Sequence, residues 1–209
     1  MRTAPRPSWV YSFVAVLSWP LVRLLFRLRA RGVENVPAEG GLVLAANHWS
    51  NLDPWPLGLP LFPRRFLRFM AKAELFWFPL GPLISAGGAF PVRRGEGDRA
   101  ALATAVELCR DGHAVVMFPE GTRRQKGLRK SRSAQWHTGA ARIALEADVP
   151  LVPAGIRGTE RLARLGPLRV VYGAPLALDD LRDSPPADAA RAATDRLAEA
   201  IGELEGSLG

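Results

Sequence analysis

The chain has 209 residues, of which 48% are hydrophobic, and a formal net charge of +8. This size and composition are ordinary for one globular domain with a full core. Its single cysteine, Cys109, excludes an internal disulfide and fits a reducing compartment. The excess of basic residues indicates an anionic partner: membrane lipid, nucleic acid or a phosphorylated substrate.

The N-terminal segment is uncharged over residues 9–22, fourteen positions, which is fewer than the roughly 20 apolar residues that a spanning helix needs. Basic residues then recur at every fourth position: Arg23, Arg27 and Arg31. This spacing puts the arginines on one face of a helix, with Trp9 and Trp19 as headgroup anchors. We predict a helix that lies in a membrane interface or partly inserts; a core helix and a cleaved signal peptide are the alternatives.

A histidine and an aspartate follow the first predicted strand, residues 42–46, and precede two prolines that a strand interior would not tolerate. His48 and Asp53 therefore lie at the carboxyl end of a strand, where ligands bind in open α/β sheets. A neutral imidazole can accept a proton near neutral pH, and a carboxylate on its other ring nitrogen would orient it. Alternatively, Asp53 before Pro54 is a helix N-cap, with Ser50 in a capping box. The spacing leaves both interpretations open.

The next part of the chain is strongly apolar. We predict a short helix over residues 55–61, a strand over residues 66–71 and Lys72 at the carboxyl end of that strand. The uncharged run over residues 75–92 is eighteen positions long, but its prolines and glycines divide it into a short helix, a turn and a strand. Its aromatic start, residues 75–78, fits either a surface that meets a membrane or ordinary core.

A helix and a buried strand come next. Apolar side chains recur at helical spacing within residues 98–110: Leu102, Ala105, Val106 and Cys109. We therefore interpret Cys109 as a core residue and not as a nucleophile. The apolar run at residues 114–118 suits a strand buried on both faces, and it leads into residues 119–123, PEGTR. A glycine beside a threonine and an arginine indicates a loop that binds phosphate.

The remaining elements complete an alternating pattern. We predict a helix over residues 136–147, strands over residues 151–156 and 168–172, and a C-terminal helix from residue 185. Strands that alternate with helices predict the α/β class, with a single domain in which helices flank a mainly parallel sheet, preceded by the N-terminal membrane-associating helix.

Four blocks resemble, in the expected order, the motifs of the 1-acylglycerol-3-phosphate acyltransferase (lysophosphatidic acid acyltransferase) family. They are NHWSNLD at residues 47–53, GAFPVRR at 88–94, FPEGTR at 118–123 and VPLVP at 149–153. Two positions depart from the family pattern: Arg93 stands where an aspartate is common, and Arg124 where a serine often follows. Both departures add positive charge, which leaves the reaction class intact and the acceptor substrate open.

The resemblance implies an acyltransferase that moves a fatty acyl group from acyl-CoA or acyl carrier protein to the free hydroxyl of 1-acylglycerol 3-phosphate, giving phosphatidic acid. It implies a catalytic role for His48 and Asp53 and a location at the cytoplasmic face of the cell membrane. It assigns substrate contacts to six further residues: Lys72, Arg94, Glu120, Gly121, Thr122 and Arg123. For Lys72, an ordinary surface lysine before a helix is the alternative. Glu120 cannot itself attract a phosphate, so we expect it to orient an arginine. Residues 33–209 would form the glycerolipid acyltransferase domain, behind the tail and helix of residues 1–32.

No metal or tightly bound cofactor is expected, because the histidines at positions 48, 113 and 137 lack metal-ligand spacing and a thioester is already activated. Residues 123–132 contain six basic side chains. They form either a solvated loop or a landing surface for anionic lipid, coenzyme A phosphates or acidic acyl carrier protein. No nucleic-acid partner is expected, because neither a recognition helix nor base-stacking aromatic residues accompany this basic run.

Two alternatives remain open on the sequence alone. One is an acyltransferase with another acceptor, such as glycerol 3-phosphate, a glycolipid or an ornithine lipid. The reason to consider it is Arg93, which stands where an aspartate is common. The other is a non-catalytic basic protein that sits on anionic membranes or nucleic acid, which charge and the N-terminal helix would explain without any chemistry.

Overall fold

The computed structural model describes residues 7–92, 98–121, 125–126, 129–130 and 136–209. The helices within these ranges are α1 (Trp9–Leu25), α2 (Pro54–Gly58), α3 (Leu80–Ala86), α4 (Asp98–Arg110), α5 (Gly139–Ala147) and α6 (Pro186–Gly206). The strands are β1 (Arg29–Arg31), β2 (Leu42–Ala46), β3 (Leu67–Lys72), β4 (Ala89–Val92), β5 (Ala114–Met117), β6 (Gln125–Lys126), β7 (Arg129–Lys130), β8 (Leu151–Arg157) and β9 (Arg169–Tyr172).

One seven-stranded sheet organises the fold, with the strand order β1-β9-β8-β2-β5-β3-β4. Strands β8, β2, β5, β3 and β4 run parallel to one another. Strand β9 is antiparallel to β8, and β1 is parallel to β9. The prediction of a mainly parallel sheet flanked by helices is therefore confirmed. The short strands β6 and β7 pair with each other in a separate antiparallel hairpin.

The sheet is the middle of three layers. Alternate residues of a strand point to opposite faces, so Leu42 and Leu44 of β2 pack with the cluster that includes α1 and α2, while Val43 and Ala45 pack with α4, α5 and α6. Every residue of β2 is buried. This double coverage explains why the sequence of the strand is continuously apolar instead of alternating.

The prediction for the arginines after α1 is wrong. Helix α1 ends at Leu25, and Arg27 then adopts a positive φ of 46°. The chain continues as an edge strand in which Arg29 pairs with Arg169 and Arg31 with Val171. Arg23, Arg27 and Arg31 therefore do not share one helical face. Pairing with β9 supplies backbone hydrogen bonds that outweigh the helical periodicity of the sequence, and the sheet includes residues that precede position 33.

Helix α1 carries apolar side chains both on the side that faces the core and on the side that faces outward. Within the described part of the chain, no helix combines the length and the apolar character needed to cross a bilayer. Ala15 and Val22 face the protein core. Large apolar side chains of α1 nevertheless face outward: Trp9 (80% exposed), Phe13 (61%), Val16 (64%), Leu17 (65%) and Leu24 (76%). The segment before α3 adds exposed Trp77 and Phe78.

Candidate active site

Asn47 fixes the point at which β2 ends. Its side-chain amide donates a hydrogen bond to the Ile156 carbonyl (2.9 Å), and its side-chain carbonyl accepts one from the Ile156 N–H (2.8 Å). Asn47 is fully buried, so both interactions are shielded from water and tie the end of β2 to the end of β8. The next residue, His48, consequently leaves the sheet from a rigid point. Sequence reasoning missed Asn47, although an amide directly after an apolar strand is a recognisable signal.

His48 and Asp53 form the predicted pair. The His48 Nδ1 and the Asp53 Oδ2 are 2.7 Å apart. The same oxygen accepts hydrogen bonds from the Trp49 N–H (2.8 Å) and the Ser50 N–H (2.9 Å). A carboxylate can only accept, so in the neutral ring Nδ1 carries the hydrogen and Nε2 has the free lone pair. The Asp53 side chain is fully buried, whereas the His48 side chain is 15% exposed, which leaves the ring accessible from the sheet edge.

The alternative interpretation of Asp53 as a helix cap is correct in position only: Asp53 is the N-cap residue of α2, with Pro54 as the first helical residue, but its side chain does not cap the helix. Asp53 has helical dihedrals (φ −53°, ψ −38°), and its side chain makes no capping hydrogen bond to α2. The carboxylate points backward along the chain instead, toward the N–H groups that precede it. The Ser50 hydroxyl accepts from Leu52 N–H at 3.3 Å, so the capping box does not form. The acid organises the His48 turn and not the helix.

The strand next to β2 brings a second motif to the same place. Phe118, directly after β5, stacks on the His48 ring with a centroid distance of 4.1 Å and an interplanar angle of 18°. The Gly121 N–H donates to the Phe118 carbonyl (3.0 Å) and closes a turn over residues 118–121. Within that turn Glu120 is buried and Gly121 is exposed. The stacking partner of the histidine is thus part of the predicted phosphate-binding block.

His137 supports this turn, a role that sequence reasoning missed. Its N–H donates to the Pro119 carbonyl (2.8 Å). Its ring lies so close to Gly121 that a Cβ there would be 2.5 Å from the His137 Cδ2. Gly121 also has a positive φ of 66°, which glycine adopts without steric cost. A short-range motif search could find the glycine but not the histidine that packs against it, which lies sixteen positions later.

The other predicted substrate contacts are placed only in part. Lys72 ends β3 and is exposed, and β5 lies between β3 and β2. Since neighbouring strands are about 4.8 Å apart, this puts the Lys72 backbone roughly 10 Å from β2 along the same edge. Arg94, Thr122 and Arg123 lie outside the described residues, as do Arg93, Arg124 and most of the basic run. The structure therefore groups His48, Asp53, Glu120 and Gly121, with Lys72 farther along the edge.

The arrangement suits proton transfer by an oriented imidazole. In the parts of the chain that the structure describes, no group of three His, Cys, Asp or Glu side chains could hold a metal ion. Cys109 is buried, and burial raises the pKa of its thiol to about 12, with a smaller opposing effect from Arg65. That thiol is protonated near neutral pH and remote from His48, so it does not act as a nucleophile.

Comparisons with known proteins agree with this geometry. Residues 27–157 match the family model described as Acyltransferase. The chain is 31% identical over 205 residues to the 1-acyl-sn-glycerol-3-phosphate acyltransferase of Bacillus subtilis (strain 168), covering 95% of this chain and 98% of that one. It is 30% identical over 162 residues to the chloroplastic enzyme BAT2 of Brassica napus, covering 75% of this chain but only 45% of the plant protein. The crystal structure of the 1-acyl-sn-glycerophosphate (LPA) acyltransferase, PlsC, from Thermotoga maritima superposes with a TM-score of 0.68 at 25% identity, covering 93% of this chain and 79% of that chain.

Proposed function

The chain belongs to the acyltransferase family, and we propose that it moves a fatty acyl group from acyl-CoA or acyl carrier protein to the free hydroxyl of 1-acylglycerol 3-phosphate, giving phosphatidic acid. The observation that carries this proposal is the 2.7 Å contact between His48 Nδ1 and Asp53 Oδ2 at the carboxyl edge of the sheet. The name of the Bacillus subtilis relative, which aligns over nearly the whole chain, supports the choice of acceptor.

Direct transfer uses His48 as a general base. Its Nε2 takes the proton of the acceptor hydroxyl while that oxygen forms a bond to the thioester carbonyl carbon. The tetrahedral intermediate then expels the thiolate, which receives the proton from the imidazolium. Asp53 stabilises the imidazolium that forms between these steps, and the face of the Phe118 ring adds a weaker attraction for the same cation. A thioester is activated enough that no acyl-enzyme is needed.

The acceptor phosphate is assigned to the side of His48 that carries β5, β3 and β4. Glu120 and Gly121 follow β5, and Lys72 ends β3. In the sequence, Thr122 and Arg123 come directly after Gly121, and Arg94 comes two positions after the end of β4. Arginine and lysine neutralise phosphate, and arginine can do so with two parallel hydrogen bonds. Glu120 is buried, which suits a residue that orients an arginine and does not meet the substrate itself.

A membrane-bound acceptor requires the enzyme to reach the bilayer, and α1 provides the surface for it. Its outward-facing tryptophan, phenylalanine and leucine side chains would sit among the acyl chains and headgroups of one leaflet. We therefore assign the protein to the cytoplasmic face of the cell membrane as a peripheral or monotopic enzyme. A reduced, buried Cys109 is compatible with that compartment.

A second acceptor is favoured by one observation. Arg93 occupies a position where aspartate is common in motifs of this kind, and the added charge beside Arg94 changes the electrostatic environment that an acceptor headgroup would meet. Glycerol 3-phosphate, a glycolipid or an ornithine lipid thus belongs in any acceptor panel.

The test is a thioester-release assay with purified protein, acyl-CoA and acyl carrier protein donors, and this acceptor panel. Release with lysophosphatidate is expected, and His48→Ala should lower kcat by about 10² to 10⁴ while the thermal midpoint stays close to that of the parent. If thioester release occurred only with a different acceptor, that acceptor would replace lysophosphatidate as the proposed substrate. No release with any acceptor, with lipid or nucleic acid still bound, would identify a binding protein and overturn the proposal.

A further inference from the structure

Arginines lie side by side in three neighbouring strands at the sheet edge that carries His48. Arg157 ends β8, Arg169 begins β9 and Arg29 begins β1. Arg157 is paired with Arg169, and Arg169 with Arg29, in the register of the sheet. Directly paired residues project their side chains on the same face. The three guanidinium groups therefore form one continuous row, which we call the arginine row.

The positive charges of the arginine row are not paired with carboxylates among the described residues. Arg29, Arg157 and Arg169 form no salt bridge with any carboxylate among the described residues. Glu160, the acid nearest in sequence to Arg157, is hydrogen-bonded to Gly158 N–H and paired with Arg161. Like charges directly opposite each other destabilise a sheet, and no carboxylate among the described residues forms a salt bridge that would offset this repulsion. An anionic ligand would offset the repulsion.

Arg169 is the central member of the row. Burial lowers the pKa of its guanidinium, and the charges of Arg29 and Arg27 lower it further. One nitrogen, Nη1, donates to the carbonyls of Arg27 and Leu168, both at 3.0 Å. These bonds hold the side chain at the edge and leave Nε and Nη2 without partners among the described residues. The group is thus positioned before any ligand arrives.

The row points away from the apolar side of α1. In β9, Val170 and Tyr172 pack with the cluster that contains α1, so Arg169 and Val171 project from the other face of the sheet. Val171 meets Gly155 there, and α6 also packs against Gly155. A bilayer that covers α1 would therefore not cover the arginine row, which argues against lipid headgroups as its ligand.

The row and the strands that lead into the proposed acceptor-phosphate residues lie on opposite sides of β2. In the strand order, β8, β9 and β1 extend from β2 in one direction and β5, β3 and β4 in the other. At about 4.8 Å per strand, the row spans roughly 5 to 14 Å from β2. Its outer members, Arg169 and Arg29, lie roughly 10 and 14 Å from β2, a separation that suits a phosphate joined to the thioester by a pantetheine chain with two amide links.

We propose that Arg29, Arg157 and Arg169 form the donor subsite, which binds the phosphate of the phosphopantetheine chain that carries the acyl thioester. This inference rests on the proposed acyl transfer at His48, and it identifies the residues that bind the acyl donor. Coenzyme A and acyl carrier protein share that phosphate chemistry. The two phosphates would then lie in opposite directions from β2 along the sheet edge. Because Phe118, on which the imidazole stacks, packs on the α1 side of the sheet, the pantetheine chain would cross the carboxyl edge to bring the thioester to His48.

The test compares the parent with Arg29→Gln, Arg169→Gln and the double variant, using acyl-CoA, acyl carrier protein, acyl-phosphopantetheine and acyl-pantetheine as donors. Loss of a charged hydrogen bond should raise KM for phosphate-bearing donors about 10-fold or more, with kcat, the KM for lysophosphatidate and the KM for acyl-pantetheine unchanged. Arg191→Gln, at an exposed position of α6, is the matched control. Relief of like-charge repulsion means that the Arg29→Gln thermal midpoint should not fall.

Equilibrium binding of phosphopantetheine and pantetheine to the same variants needs no turnover. If the parent showed no activity, the proposed function would be refuted, but the binding measurement would still test the donor subsite. If the parent enzyme uses only one natural donor, acyl-CoA or the acylated carrier protein, a loss with that donor and with acyl-phosphopantetheine supports the subsite and identifies the source of the phosphate. An equal loss with acyl-pantetheine, unchanged KM for every donor, or a loss only of binding to anionic phosphatidylglycerol vesicles would overturn it.

Discussion

The Asp53 carboxylate combines two roles in one oxygen atom. Its Oδ2 accepts from the His48 ring and from the N–H groups of Trp49 and Ser50, so it orients the imidazole and holds the turn that carries it. The negative charge matters for the imidazolium, whereas acceptor geometry alone matters for the turn. A substitution that keeps the shape and removes the charge can therefore separate catalysis from stability.

We expect Asp53→Asn to lower kcat by about 10² to 10⁴, because an amide cannot balance the charge of the imidazolium. Its carbonyl can still accept from the turn, so the free energy of unfolding should fall less than in Asp53→Ala. The alanine leaves the partly buried N–H groups of Trp49 and Ser50 without this acceptor, at a cost of about 1–3 kcal/mol. Steady-state kinetics and urea unfolding measure the two effects. A fully active Asp53→Asn enzyme would show that the charge is not needed.

His113 lies at the opposite edge of the sheet, before β5, with its ring edge-on to Phe66. Burial lowers the pKa of this imidazole, Arg68 and Arg65 lower it further, and Asp111 opposes them. The native state therefore favours neutral His113. As the pH falls below about 6.5, the unfolded chain takes up a proton that the native protein resists, so stability is lost between that value and the lower folded-state pKa.

We expect His113→Asn to remove this part of the pH dependence. The parent should lose more unfolding free energy than the variant when urea denaturation is moved from pH 7 to pH 5, although both share the losses caused by other groups. Equal losses in the two proteins would mean that His113 charges as easily in the native state as in the unfolded one.

Single-residue prediction worked where partners are close in sequence. His48 and Asp53 are five positions apart, and a strand end followed by a turn restricts how they can meet. Asn47 was missed because its partner, Ile156, is 109 positions away. His137 was missed because its contact with Gly121 depends on how α5 packs beside the turn. A local pattern contains the chemistry of a side chain but not the long-range contact that fixes it.

Among the elements, the turn at residues 118–121 links both motifs, and its glycine offers a direct test. Gly121→Ala would force an alanine to a φ of 66°, at a cost of about 1–2 kcal/mol, and push its Cβ into the His137 ring. Displacement of Phe118 from the His48 ring should then lower kcat/KM by about 10- to 100-fold, because small misplacements near reacting groups are costly.

A matched control is Gly202→Ala on α6, where a Cβ would meet nothing within 4 Å; activity should not change, and stability should rise by up to about 1 kcal/mol. Adding His137→Ala to Gly121→Ala removes the clash but not the backbone strain, so partial recovery of kcat/KM is expected. Parent-like activity of Gly121→Ala alone would mean that the turn does not hold Phe118 in place.

Element boundaries were predictable except where distant pairing decides them. Helix α4 occupies the predicted residues 98–110, because its periodicity is local. The arginines after α1 also had helical periodicity, yet residues 29–31 form an edge strand. Only the position of β9, which follows more than 130 residues later in the chain, determines that outcome. The antiparallel direction of β9 could not be predicted from the sequence either, because it also depends on pairing between distant parts of the chain.

At the scale of the whole molecule, the alternation of strands and helices was enough to predict the class of fold, since parallel strands need crossover helices and bury both faces. Strand order was not predictable. That order matters for function: it sets β5 beside β2, so that Phe118 reaches His48, and it places the arginine row on the other side. The chemistry of the motifs could be inferred from the sequence. Which cationic residues lie on which side of His48 could be known only from the strand order of the sheet.

The two surfaces of the molecule also differ, and this gives a prediction about the bilayer. The outer side of α1 exposes Phe13 and Leu17, while α4 covers the opposite face of the sheet. Burying one large apolar side chain in a membrane contributes about 1.5–3 kcal/mol, or roughly tenfold or more in partitioning. We expect Phe13→Glu or Leu17→Glu to lower flotation with phosphatidylglycerol vesicles by that factor, without loss of thermal stability, because both side chains are already exposed.

Activity should depend on whether the acceptor is presented in a bilayer or in detergent. Either variant should be slow on lysophosphatidate embedded in vesicles but close to the parent on acceptor dispersed in detergent micelles, because the imidazole and its acid are untouched. Ala103→Glu, on the exposed side of α4, adds the same charge to the opposite face and should leave both measurements unchanged. If Leu17→Glu floats as well as the parent and retains full activity on vesicles, the membrane contact lies elsewhere on the protein.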